Sequence, residues 1–193
     1  MGIKIKNISK SFGPKVVIDN LSLEIEEGKV TVLMGPSGGG KTTLAHIILG
    51  ILKPDQGTVE GLLGKSIAAV FQEDRLCEQL TAVKNVQLVL RKEKPVTEII
   101  NEFTQVGLTG ESIAKPVNQL SGGQKRRVAI LRAIMADRDF ICLDEPFKGM
   151  DKETKANTME YVKTHITGKT VLLITHDEEE ARFFGDNIVY PFG

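Results

Sequence analysis

Eight residues, Gly35-Pro36-Ser37-Gly38-Gly39-Gly40-Lys41-Thr42, constrain this chain more than any other stretch. They spell G-x-x-x-x-G-K-[ST], the pattern of a loop that wraps phosphate groups. The run before them, Val30-Thr31-Val32-Leu33-Met34, is apolar and β-branched, as a parallel strand buried on both faces is. The run after them, Thr43-Leu44-Ala45-His46-Ile47-Ile48-Leu49, reads as a helix. In that context the glycines let backbone N–H groups turn inward with no Cβ in the way, and the helix aims its positive end at the same spot. Lys41 adds a point charge that reaches the β- and γ-phosphates of a nucleotide, and the Thr42 hydroxyl is a Mg²⁺ ligand. The loop from Gly35 to Thr42, with Thr43 beside it, is the expected nucleotide-binding element. A chance match in a chain of this length has a probability of roughly one in a hundred.

Size permits one well-cored domain, and the expectation is a single domain spanning residues 1–193. Lys+Arg 25 against Asp+Glu 25 gives no bulk charge to draw nucleic acid or a membrane surface. No run approaches the eighteen or so apolar residues of a spanning helix. The opening Met1-Gly2-Ile3-Lys4-Ile5-Lys6 alternates like a strand and lacks a signal-peptide core. Gly2 is no myristoylation signal, since Lys6 stands where Ser or Thr is needed. Cys77 and Cys142 are far apart and reduced thiols are expected, with Cys142 a buried small hydrophobe in an apolar run. His46 and His165 read as structural or surface residues.

Along the chain, Ile3, Ile5 and Ile8 begin a strand, Phe12-Gly13 breaks it, and Val16 to Ile18 resumes it. Leu21, Leu23 and Ile25 then alternate with polar residues. An antiparallel β layer feeding a parallel core is the reading. Lys53 to Gly57 is a turn by composition, and strands come next at Thr58-Val59 and Ile67 to Phe71. From about Thr81 to Met135 the pattern is helical, with Val96, Ile99, Ile100, Phe103 and Val106 on one face and Pro95 in a first turn. Strands return at Phe140–Leu143, Val171–Ile174 and Asn187–Tyr190. The fold class is α/β, a P-loop NTPase core with an antiparallel β subdomain and a helical insertion at about 73–136.

Phe140-Ile141-Cys142-Leu143-Asp144-Glu145 is an apolar strand ending in two acids. Paired with a phosphate loop it takes the Walker B form. Asp144 would hold Mg²⁺ directly or through water, and Glu145 is placed to polarise an attacking water.

Leu120-Ser121-Gly122-Gly123-Gln124, lying between those two motifs, resembles the signature of ABC-type ATPases. A hydroxyl and two glycines ahead of a helix make a second anion site, besides an ordinary Ser cap. The resemblance covers nearly the whole chain. It implies ATP and Mg²⁺ as cofactors and a head-to-tail homodimer in the ATP-bound state, with Ser121, Gly122, Gly123 and Gln124 on the partner's ATP. Phe12 matches the aromatic that stacks on adenine, although it is also a candidate core residue of the first sheet. Gln72 matches the glutamine that touches Mg²⁺ or the attacking water. His176 matches the switch histidine at the γ-phosphate, and Asp151 the D-loop acid. The implied catalytic set is Glu145, His176 and Gln72, with Thr42, Gln72 and Asp144 at the metal. The run Phe147-Lys148-Gly149-Met150-Asp151 departs from the small residues usual there.

The resemblance further implies an ATP-hydrolysing subunit at the cytoplasmic face of a membrane, bound to separate permease subunits. Gln72-Glu73-Asp74-Arg75-Leu76 is similar to nitrate, sulfonate and taurine importer ATPases, which leans toward import and allows an extracytoplasmic substrate-binding protein. A soluble ATPase of a non-transport assembly system is the alternative. The chain is short for the family and ends soon after Tyr190-Pro191-Phe192, so no regulatory domain is expected. Lys125-Arg126-Arg127 reads as a solvated or phosphate-facing helix turn rather than a nucleic-acid site. Asp177 to Glu180 reads as acids complementing a helix dipole.

Overall fold

The β1–β2 hairpin opens the fold, with Ile3–Phe12 as β1 and Lys15–Ile25 as β2 joined at Gly13-Pro14. The computed structural model describes residues 2–191; Met1 and Phe192, which entered the reading of the two ends, lie outside the described residues. Ile3, Ile5, Ile8, Ile18 and Ile25 turn one face of the hairpin fully inward. Burying such a side chain is worth about 1.5–3 kcal/mol. The spacing from Ile5 to Ile8 breaks strict alternation, and the register shifts there through irregular pairing. Asn7 takes up the slack at φ 52° and is tied to Asn20 Oδ1 at 2.9 Å. Gln56–Glu60 (β4) pairs antiparallel to β1, giving a three-stranded layer in the order β2-β1-β4.

Two compact units divide the chain. The first holds residues up to Ile67, Asp139–Glu145, and the chain from Thr167 onward. Besides the hairpin layer it contains a parallel layer. Val30–Met34 (β3), Phe140–Asp144 (β6), Thr170–Thr175 (β7) and Asn187–Val189 (β8) run in the order β6-β7-β3-β8. Every residue of β3, β6 and β7 is buried, as their unbroken apolar runs require. Lys41–Ile48 (α1) and Glu178–Phe184 (α7) are the helices of this unit. A further strand, Ile67–Val70 (β5), straddles the division.

The second unit holds Ala68–Arg138 and Pro146–Ile166. It is wider than the insertion read from the sequence and takes in a second segment. The long helical stretch resolves into Ala82–Gln87 (α2), Val96–Gln105 (α3), Glu111–Ala114 (α4), a 3₁₀ turn at Val117–Gln119, and Gly122–Met135 (α5). Lys152–His165 (α6) comes from the second segment. Pro95 is the N-cap of α3, one position earlier than a first-turn proline. Ile99, Phe103, Val106, Val128, Ile130, Leu131 and Val162 form the buried core of this unit. A polar clamp joins α3 to α6: the Tyr161 hydroxyl donates to Glu102 Oε2 at 2.8 Å, and the His165 ring stacks on Tyr161. Burial first, and the Glu102 carboxylate second, push the Tyr161 hydroxyl pKa well up.

Candidate nucleotide site

Strand register assembles the first unit's site. Met34 lies opposite Thr175, and Asp144 and Leu33 both lie opposite Ile174. The three strands therefore end at one edge, and their next residues in the chain, Gly35, Glu145 and His176, come to that edge. Ligands of open α/β sheets gather at the carboxyl ends of the strands.

The loop after β3 turns on glycines. Gly38 has φ 79°, and Gly40, the N-cap of α1, has φ 103°, a left-handed backbone that costs other residues energy. Lys41 is only 5 % exposed, and its Nζ donates to the Gly35 and Pro36 carbonyls, both at 2.8 Å. The ammonium thus lies across the mouth of its own loop, where a phosphate chain would be held. Next to it, Thr42 Oγ1 donates to Asp144 Oδ2 at 2.8 Å, across 102 positions of sequence. Two oxygen donors side by side suit a hard cation that completes its shell with phosphate oxygens and water, which is the coordination habit of Mg²⁺.

Glu145 comes directly after Asp144 with its backbone at φ 45°, a conformation rare for a side chain of this size. Its N–H still donates to Ile174 O at 2.9 Å, so the chain leaves the sheet one residue beyond β6. The side chain is mostly buried and reaches the partly exposed His176, with Oε1 3.3 Å from Nδ1. A carboxylate only accepts, so Nδ1 carries the proton and Nε2 is the ring atom left for other partners. His176 is held by its neighbours. Thr175 Oγ1 donates to Glu180 Oε2 at 2.6 Å and accepts from the Asp177 N–H at 3.0 Å. Asp177 in turn caps α7 by accepting from the Glu179 N–H. Glu180, one of the three acids in the first turn of α7, is thus buried and hydrogen-bonded, while Glu178 and Glu179 are exposed.

Phe12 projects at the end of β1, 51 % exposed, with Lys10 Nζ 5.6 Å from the ring centroid. Its exposure removes the core-residue alternative. Cys142 is buried in β6 as expected, and burial pushes its thiol pKa up.

The second unit carries the remaining sequence-selected residues. Gln72 is exposed on the loop after β5. Ser121 is the N-cap of α5 in a capping box: Ser121 Oγ accepts from the Gln124 N–H at 3.3 Å, and Gln124 Oε1 accepts from the Ser121 N–H at 2.9 Å. Gly122 and Gly123 are not in the left-handed region. A Cβ on Gly122 would meet nothing within 4 Å among the described residues, and one on Gly123 only Gly149 O at 3.9 Å. Nothing among the described residues explains why these two positions are glycine. Asp151 caps α6 by accepting from the Thr154 N–H at 2.9 Å, and that bond holds its carboxyl below the usual range. Phe147, at the departure from the usual small-residue run, is buried, while Lys148 is exposed.

The basic run at 125–127 does not form a solvated turn. Arg126 is 5 % exposed and donates to Phe71 O and to Asp74 Oδ1. Arg127 is partly buried and donates to Val106 O at 2.8 Å, and burial lowers its pKa. Position gave a signal that composition hid. Arg126 is followed at i+4 by Ile130 and at i+7 by Ala133, both buried, so it stands on the inward face of α5.

A phosphate loop, an acid at the end of a neighbouring strand, and a carboxylate–histidine pair at the same end of the sheet are the features of a P-loop NTPase. More particularly, the chain belongs to the ABC transporter family, whose model matches residues 18–148. It is 36 % identical to the probable sulfate/thiosulfate import ATP-binding protein CysA of Chlorella vulgaris, over 98 % of this chain and 86 % of that protein. It is 34 % identical to the spermidine/putrescine import ATP-binding protein PotA of Mesoplasma florum, over 97 % of this chain and 58 % of that protein. The chain thus spans somewhat under three fifths of the length of that second relative. Among solved structures it resembles the dimeric MJ0796, described as a bacterial ABC transporter cassette, at TM-score 0.84 and 33 % identity, covering 98 % of this chain and 94 % of that one. A post-hydrolysis state of the same cassette, bound to ADP and Pi, matches at TM-score 0.85 and 31 % identity.

Proposed function

We propose that this chain is the ATP-hydrolysing subunit of a membrane importer, working at the cytoplasmic face as a homodimer on separate permease subunits. The observation that carries the hydrolytic part is the constellation at one sheet edge: Lys41 over its loop, Thr42 bonded to Asp144, and Glu145 paired with His176. In this reading Phe12 stacks on adenine, the loop from Gly35 to Thr43 wraps the phosphates, and Lys41 exchanges its two carbonyl partners for β- and γ-phosphate oxygens. Thr42 and Asp144 would hold Mg²⁺, with Gln72 as a further ligand or as the group that touches the water. An ion bound there would supply positive charge to offset that of the phosphates. Glu145 orients the attacking water and draws off its proton. His176 fixes Glu145 through Nδ1 and offers Nε2 to the γ-phosphate.

The homodimer is supported by Gly122 and Gly123, glycines with open space above them and ordinary backbone angles. A second copy bringing its ATP against Ser121, Gly122, Gly123 and Gln124, with Asp151 nearby, gives Gly122 and Gly123 a reason to lack a Cβ. The import function is supported by the names of the relatives, which are import ATP-binding proteins for sulfate/thiosulfate and for spermidine/putrescine. An extracytoplasmic substrate-binding protein would deliver the substrate to the permease. No helix of the described residues is long and apolar enough to cross a membrane, so membrane attachment would come through those partners.

Phosphate release with Mg-ATP, followed by affinity capture of the tagged protein from detergent-solubilised membranes, tests both halves. Hydrolysis with a co-purifying multi-span membrane protein supports the reading. Hydrolysis with only soluble partners would favour a non-transport assembly ATPase instead.

A further inference from the structure

We propose that Arg126 is a positioning residue for Gln72, fastening the Gln72 loop to the helix that Ser121 caps so that the two move as one piece. The proposal rests on the reading of Gln72 as a group that touches metal or water. Gln72 sits on an irregular stretch between β5 and α2, exposed, with little regular structure to fix it. Loops of that kind are mobile unless something holds them.

Here the holding comes from α5. Arg126 Nη1 donates to the carbonyl of Phe71, the residue just before Gln72, and also reaches Asp74 Oδ1 at 3.1 Å, two residues after it. Arg132, further along the same helix, donates from Nη1 to Arg75 O at 2.9 Å and from Nη2 to Asp74 O at 3.2 Å. Arg75 closes the loop on itself, its guanidinium 3.9 Å from the centroid of the Phe71 ring. Gln72 is thus bracketed on both sides by residues bound to one helix, and all of these groups lie in the second unit.

The choice of a charge for this task points to position rather than to stability. Arg126 is almost fully buried. Taking a guanidinium out of water costs as much as an ion pair typically returns, and an apolar side chain of similar volume stabilises as well or better. What the guanidinium does that an apolar group cannot is bind a backbone carbonyl and a carboxylate at once, with directions fixed by its planar fork. The same helix begins at Ser121, so any displacement of the signature residues carries the Gln72 loop with it.

The test uses the full chain with Arg126→Gln and Arg126→Lys, each alone and combined with Gln72→Ala. Arg126→Gln is expected to lower kcat for Mg-ATP by about tenfold or more with KM changed less than about twofold, as removal of a positioning interaction does. Arg126→Lys, which keeps the charge facing Asp74, should recover part of that loss. Added to Gln72→Ala, Arg126→Gln should lower kcat no further, since nothing remains to be positioned. An independent readout uses the absence of tryptophan from the sequence. Glu73→Trp places a single reporter beside Gln72, and its anisotropy decay should gain a fast component when Arg126→Gln is added. Should Arg126→Gln fail to fold, Asp74→Asn removes the same ion pair from the loop side and carries the same expectations. Losses that multiply across the two backgrounds, or an unchanged anisotropy decay, overturn the proposal. Gln72→Ala hydrolysing at the wild-type rate sinks the reading of Gln72 itself and the proposal with it; a slow Gln72→Ala beside a normal Arg126→Gln sinks the proposal alone.

Discussion

Glu145, the proposed base, stands in a backbone conformation that most residues avoid, at φ 45°. Such a position costs on the order of 1–3 kcal/mol and persists where the surroundings impose it; here the bond from its N–H to Ile174 O and the contact with His176 do so. Glu145→Gln keeps the shape and loses the base. Phosphate release should fall by about 10²–10⁴-fold, equivalent to about 3–5 kcal/mol of barrier, while ATP binding persists and a two-ATP dimer accumulates in light scattering. Adding Ser121→Arg should return the scattering mass to that of a monomer. Gly122 allows a sharper separation of folding from function. Alanine there meets open space and improves helix propensity, so Gly122→Ala should raise thermal stability by up to about 0.5–1 kcal/mol while it lowers hydrolysis. A variant that is more stable and fully active would remove the argument for a second copy above that glycine. Phe12→Ala should weaken ATP and GTP binding alike, by about the 1–3 kcal/mol of a base–aromatic stack, with little change in melting temperature because the ring is half exposed.

Among the elements, those buried on both faces were the most legible. β3, β6 and β7 announce themselves as unbroken apolar runs, and the acids and histidine at their ends fall into place once the register is known. The irregular pairing in β1 was written in the step from Ile5 to Ile8 but is too local for an alternation rule to catch. The helical stretch is legible as helix and not as four pieces; the break between α3 and α4, for one, rests on positive-φ glycines, Gly107 and Gly110, rather than on loss of apolar spacing. Arg126 is hard to read because a charge flanked by two others resembles an exposed turn, and Glu180 because a run of acids hides the one that is buried. Asp151 offers a test of a cap at this scale. Its carboxyl pKa is lowered, chiefly by the Thr154 backbone N–H, so its contribution to stability is present above the ordinary carboxylate range and fades as pH falls through the lowered value. Asp151→Asn keeps an acceptor for that N–H without titrating there. The difference in melting temperature between wild type and Asp151→Asn should therefore depend on pH only in the acid range below about 4, and a constant difference down to pH 2 would contradict the assignment.

For the molecule as a whole, two buried groups with raised pKa values bias stability against alkali. Cys142 is raised by burial, with the Asp144 charge adding to it, and Tyr161 by burial and the Glu102 carboxylate. Both stay protonated in the fold while an unfolded chain ionises them, so stability is full below their ordinary values of 9.0 and 10.0 and is lost as pH climbs above these. Urea midpoints measured from pH 8 to 10.5 should fall, and Cys142→Ala should flatten the first part of that fall. The order of pairing in the parallel layer has a consequence for how the protein is born. β3 lies between β7 and β8, both made after residue 169, so the strand that leads into the phosphate loop leaves the ribosome with neither neighbour in existence. At about 5–20 residues per second, the roughly 135 residues between β3 and β7 take about 7–27 s to synthesise. Through that interval an uncovered apolar strand waits beside a nascent chain, open to any exposed edge it meets. A chain stopped at residue 166 should then fail to bind nucleotide although it contains the whole phosphate loop and both acids, Asp144 at the end of β6 and Glu145 just past it, and a cell making this protein has reason to shield its first third until the last quarter arrives.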